Sequence, residues 1–188
     1  MNNANDGVPG VTQCTSHLTY HSLIIGPIPP GGSFTYTFRA TTYGHSWYHS
    51  HFSLQYSDGL VGPIVVHGPS SANWDIDLGP MTVTDWFHET AESLYASQLQ
   101  LGPPGPSDTG LINGMNEFNG SGKYSQITFT PGKKHRIRLI NTSTNTHFKF
   151  WIDEHIMTVM AADFVPIQPY TTDVLNIAIG MVLMEGSC

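Results

Sequence analysis

Ser46-Trp47-Tyr48-His49-Ser50-His51-Phe52-Ser53 is the stretch on which the reading of this chain turns. As a strand it alternates faces, so His49 and His51 point the same way, with Cα atoms about 6.6 Å apart at a rise of about 3.3 Å per residue. Working outward, Ser33 to Ala40 (SFTYTFRA) alternates Phe34, Tyr36 and Phe38 with Ser33, Thr35, Thr37 and Arg39. That is the pattern of a half-buried strand. Gly59 to His67 (GLVGPIVVH) reads as a buried apolar strand with Pro63 near its start. Pro69, Ser70 and Ser71 then break the pattern, and a domain boundary is placed there.

The rest of the chain repeats the theme. Met81 to Trp86 alternates again. Gln126 to Thr130, Arg136 to Asn141, Phe148 to Asp153, Met157 to Ala162 and Val174 to Ile179 are further short strands. Pro131-Gly132 and Pro166 to Pro169 supply turns. One helix is predicted, from His88 to Leu101, stopped by Gly102-Pro103-Pro104. Strands arriving at roughly ten-residue intervals mark a sandwich or barrel.

Composition sets the limits. The 188 residues suffice for one ordinary domain or pieces of two. With 39% hydrophobic and 11% charged residues, the chain is too apolar to be disordered. A net charge of -7 argues against a nucleic-acid partner, because phosphate binding needs a cationic surface. No apolar run approaches the roughly 18 residues of a membrane span. Met1 to Asp6 lacks the apolar core of a signal peptide. The two cysteines, Cys14 and Cys188, leave an internal disulfide, two thiols or bonds to other partners open.

Ten histidines beside seven Lys plus Arg invite a search for metal ligands. Two imidazoles on one strand face can bind one metal or reach two neighbouring ones. Neutral imidazole suits copper, zinc, iron and nickel. A bare His-x-His is more often two polar residues on an exposed face; here the flanks decide. Tyr43 to Ser53 (YGHSWYHSHFS), followed by Gln55-Tyr56-Ser57-Asp58-Gly59-Leu60-Val61-Gly62-Pro63, resembles the second copper motif of fungal multicopper oxidases of the laccase type. Asp6 to Cys14 (DGVPGVTQC) resembles the segment after that family's first copper motif. Leu111-Ile112-Asn113-Gly114, Arg136 to Ser143 and Met157 to Pro166 resemble its second domain.

The resemblance implies an all-β fold of cupredoxin-like Greek-key β-sandwich type, with parts of two consecutive domains. Residues 1–68 would be the C-terminal part of the first domain and 69–180 the N-terminal part of the second, with 181–188 a tail outside the family pattern. It implies copper as cofactor, phenolic small molecules as electron donors and dioxygen as acceptor, no nucleic-acid or membrane partner, and a secreted, extracellular protein. It makes His49 and His51 ligands of the type 3 copper pair, and Asp6 an acidic residue near the cluster that helps deliver protons. On its own, Asp6-Gly7 reads as a turn pair. Cys14 matches a cysteine paired with the C-terminal region in relatives. Asn145 falls where many relatives carry a substrate-facing acid, and an amide cannot accept that proton.

Thr15 to Gly26 and Met181 to Cys188 depart from the family pattern, as translated intron or as genuine insertions. The chain contains no His-x-His-Gly and no His-Cys-His motif, so the oxidase function would belong to a longer chain of which this is a part. The alternatives are a non-catalytic copper-binding module, completed by His45 or by a second chain, and a degenerate cupredoxin fragment. His17, His21, His67, His88, His135, His147 and His155 are read as structural or exposed. Asn119-Gly120-Ser121 and Asn141-Thr142-Ser143 are glycosylation sequons.

Overall fold

The computed structural model describes residues 6–7, 28, 30–102 and 105–187. Strands β1 (Asp6–Gly7), β2 (Gly44–Ser50) and β3 (Val61–Val66) form a three-stranded antiparallel sheet with β2 in the middle. There follow β4 (Ile76–Trp86), helix α1 (Ala91–Leu101), β5 (Thr109–Ile112) and a hairpin of β6 (Glu117–Phe118) and β7 (Ser121–Gly122). The chain continues through β8 (His135–Asn141), β9 (Phe148–Phe150), β10 (Met157–Ala162), β11 (Val165–Thr172), β12 (Leu175–Ile177) and β13 (Val182–Ser187). Six of these make one sheet, in the order β11-β10-β13-β8-β4-β5. Only β4 and β8 run parallel within it. The β12–β9 pair lies over one face, giving the all-β sandwich expected from the sequence.

Strand β8 organises the packing, because every one of its residues is buried. Its odd positions, Ile137 and Leu139, meet Met81, Val83 and Ile177, with Phe148, Phe150 and Ile152 packed around them. Burying each such side chain contributes roughly 1.5–3 kcal/mol. Its even positions face the other way. Ile140 packs with Val182 of β13 and Trp47 of β2, so one side chain joins the two sheets.

Arg136 and Arg138 share that even face and are buried too. Both guanidiniums bond the Asp77 carboxylate, and Arg136 also lies 3.8 Å over the Trp74 ring. Burial alone would raise the Asp77 carboxyl, but hydrogen bonds from Arg138 and Arg136 hold it well below the usual carboxylate range. Two buried cations are tolerated because one anion serves both.

Several elements differ from the sequence expectation. Pro166 to Pro169 are expected to supply a turn, yet they lie within β11 (Val165–Thr172). Proline cannot donate to a ladder, but β11 is the outermost strand of its sheet, where one side needs no partner. Ser33 to Ala40 carries no strand, although its alternation survives as an edge-to-face contact of Phe34 with Tyr36, ring centroids 4.9 Å apart. Alternation assigns faces; a ladder also requires a neighbour. Gln126 to Thr130 is irregular as well, while Ile127 and Phe129 still pack on the core. Val182–Ser187, in the segment set apart by sequence, pairs with both β8 and β10.

Candidate metal centre

The histidine pair sits at the outer end of β2. Trp47 is buried and anchors the strand against Ile140 and Val182. Beyond it the rings follow one another along the same face. Trp47 and His49 have centroids 4.6 Å apart, and His49 and His51 likewise 4.6 Å, each pair tilted by 32°. Tyr56 closes on this row, 5.2 Å from His49 and 6.1 Å from Trp47. His49 Nδ1–H donates to the Ser50 carbonyl over 3.1 Å. This fixes the tautomer and makes Nε2 the lone-pair nitrogen, the arrangement that metal-ligating histidines use. His49 is half-buried and His51 exposed.

The loop after His51 is pinned at both ends. Ser50 Oγ donates to Gln55 Oε1 and accepts from Phe52 N. Asp58 Oδ1 accepts from Ala91 N, the first residue of α1. The backbone of β1 completes the neighbourhood, with Asp6 opposite Ser50 and Gly7 opposite His49. Asp6 is thus one register step from His49, although its side chain lies outside the described residues.

The residues present suit copper as two of its ligands. Two imidazoles on one face, one with its remote nitrogen tied to a carbonyl, would form a proper part of such a site. They are not a whole one: among the described residues no three His, Cys, Asp or Glu side chains converge to hold a metal.

His45 does not join them. It lies on the same face but about 13 Å along the strand from His49, at roughly 3.3 Å per residue. It is completely buried, and Nε2–H donates to the Leu183 carbonyl over 3.1 Å. Its Nδ1 is buried without a hydrogen-bond partner. Burial lowers its pKa to about 4, with the nearby Arg138 and Arg136 charges acting in the same direction.

Asn145 belongs to a different place. A small cavity of about 90 Å³ is walled by Leu54 and Asp58, by Leu94 and Tyr95 of α1, and by Glu89 and Asn145. The loop bearing Asn145 hangs on the buried Asp85, whose two carboxylate oxygens accept from Thr144 N and Asn145 N. Asp85 Oδ1 and Oδ2 were not singled out by sequence. The signal was there, since Met81 to Trp86 alternates and places a carboxylate on the face of Met81 and Val83. A larger open cavity of about 790 Å³ lies between β3, the β4–β5 edge and the β6–β7 hairpin, and neither His49 nor His51 lines it. His88 stands at it, bonded to Asp108 and packed on Phe118, with ring centroids 4.4 Å apart. Cys14, Cys188, His17 and His21 lie outside the described residues.

The fold is a β-sandwich beside a three-stranded sheet whose middle strand, β2, leads into the paired imidazoles. Residues 1–71 and 77–183 each match a multicopper oxidase family, and the chain belongs to that family. Within it, the chain is similar to fungal enzymes. It is 51% identical to dihydrogeodin oxidase of Aspergillus terreus, covering 93% of this chain and 29% of that protein. It is 50% identical to a laccase of Neurospora crassa, covering 95% of this chain and 27% of that protein. The laccase of Botrytis aclada superposes with a TM-score of 0.80 at 44% identity, covering 96% of this chain and 33% of that one. The chain therefore spans about a third or less of the length of these three relatives, as a fragment of laccase type. Copper is the family's cofactor. Among the described residues no helix is long and apolar enough to cross a membrane.

Proposed function

We propose that this chain is part of a secreted laccase-type oxidase that couples one-electron oxidation of phenolic donors to reduction of dioxygen to water. In this reading His49 and His51 are ligands of the type 3 copper pair, and Asp6 helps deliver protons beside them. Residues 1–68 and 69–180 are parts of the first and second cupredoxin-like domains. The single observation that carries it is the His49–His51 pair, with ring centroids 4.6 Å apart and His49 Nδ1 tied to the Ser50 carbonyl.

Copper, when bound, would supply the one-electron steps that join donor to dioxygen. The chain's own residues do the positioning. Trp47 fixes the strand by burial, and Tyr56 walls the imidazole row. The Ser50–Gln55 and Asp58–Ala91 bonds keep the following loop from drifting.

The test is a chimera in which this chain replaces the matching segment of the Neurospora crassa laccase. Full copper content and phenol-dependent oxygen uptake are expected. His49→Ala or His51→Ala in the chimera should lose copper and uptake together. A folded chimera that holds copper equally well without either histidine would reject the assignment.

A further inference from the structure

We propose that Asn119 is an N-glycan acceptor in the folded protein and that Asn141, which carries the other sequon, is not. The proposal rests on the secretion reading above. The two sequences are of the same Asn-x-Ser kind, so the fold has to separate them.

Asn119 and Gly120 are the two-residue loop between β6 and β7, with Phe118 paired to Ser121 across it. Their φ values are +49° and +76°, the positive pair that marks a type I′ hairpin turn. The turn pushes Asn119, Gly120 and Ser121 outward, and all three are exposed. Ser121 Oγ bonds only the exposed Phe118 carbonyl over 3.2 Å among the described contacts. Nothing in this geometry resists a bulky group on Asn119 Nδ2.

Asn141 is the opposite case. It is completely buried at the end of β8. Its Nδ2 donates to the Thr146 and Ile177 carbonyls, each over 3.0 Å, and its Oδ1 accepts from Ser143 N over 2.9 Å. Both amide protons are spent on backbone carbonyls, and Ser143 Oγ is engaged with Asp85 N. A sugar on Nδ2 would remove a donor and would have no room.

The chemistry is a group transfer. The donor is an oligosaccharide on a lipid pyrophosphate in the secretory compartment. A bond forms between Asn119 Nδ2 and C1 of the first sugar. The C1–O bond to the pyrophosphate breaks, the lipid pyrophosphate leaves with the electron pair, and Nδ2 gives up one proton.

An Asn-Gly turn can also exist for its backbone alone, and the test separates the two roles. The chain is translated behind a cleavable signal into secretory microsomes, with an accessible reporter sequon appended to a C-terminal tag. Glycosylation of the reporter establishes entry, so a failure to enter is distinguished from a failure at Asn119. The protease-resistant, folded fraction is then mapped by peptide mass before and after enzymatic deglycosylation. One glycan at Asn119 and none at Asn141 is expected. Ser121→Ala, which keeps the Asn-Gly turn, should abolish it. A glycosylated reporter with Asn119 bare, or folded protein carrying sugar at Asn141, would overturn the proposal.

Discussion

The two ends of β2 carry histidine on the same face and treat it in opposite ways. At the inner end His45 is fully buried, bonded to Leu183 of β13, and driven to the neutral form. At the outer end His49 is half-buried and His51 exposed, and their rings line up beside one another. The difference lies in what covers the strand. The six-stranded sheet closes over Gly44 to Trp47, and its cover ends before His51. An imidazole under that cover is a packing group with one hydrogen bond. An imidazole beyond it lies at the partly open end of the strand. Residue type alone therefore does not fix a histidine's surroundings; position relative to the neighbouring sheet does.

The largest effect is expected where the covering sheet is held together. Asp77→Ala would leave Arg136 and Arg138 buried without their shared carboxylate. Removing one partner of a buried charge cluster costs about 3–5 kcal/mol. Urea unfolding should show a loss of that size, or the variant should fail to fold. A loss below about 1 kcal/mol would mean that water reaches the guanidiniums and the inner end is not sealed.

His45 gives the next effect, and its sign follows from linkage. Its ordinary value is 6.5, and in the folded protein it is about 4. Between those values the unfolded chain binds more protons, so stability rises with pH. The contribution is fully present above 6.5 and is lost as the pH falls toward 4, by about 3 kcal/mol over that window at about 1.4 kcal/mol per unit. His45→Gln should flatten that part of the pH–stability curve relative to the parent. Parallel curves for the two proteins would show that His45 is hydrated and that the contrast between the ends of β2 is false.

Gly44 sets the approach of the two sheets. Its φ is +142°, and a Cβ there would stand 2.6 Å from the Asp163 carbonyl. Gly44→Ala should cost about 2 kcal/mol, the scale of local backbone strain, read as a lower melting temperature. If Gly44→Ala is neutral, the inner end is looser than its burial implies.

Much of this was legible in the sequence, and the failures are instructive. The His-x-His strand, the apolar alternation of Met81 to Trp86 and the span of β10 could be read because side-chain periodicity reports directly on facing. Strand β11 could not, since Pro166 and Pro169 are forbidden in a central strand and allowed only at an edge, and edge position is a property of the assembled sheet. Arg136 and Arg138 alternate with Ile137 and Leu139, which suits a half-exposed strand. Their burial depends on Asp77, about 60 residues earlier, a pairing that no local pattern encodes. The sequence offered His45 a place in a copper-binding module, and its burial was not legible there, because its cover is β13.

The smallest effect sharpens the comparison most. His51 is exposed and lies beyond the last residue of β2, so the fold has little use for it. His51→Ala should change unfolding free energy by less than about 0.5 kcal/mol, as exposed substitutions away from special features do. The same change should weaken copper binding in the chain, read by calorimetric titration, while His45→Gln leaves that affinity alone. Stability and metal affinity would then fall on different ends of one strand. If His51→Ala destabilises the fold as much as Gly44→Ala, the outer end is part of the packing, and the division between a sealed end and a ligand end does not hold.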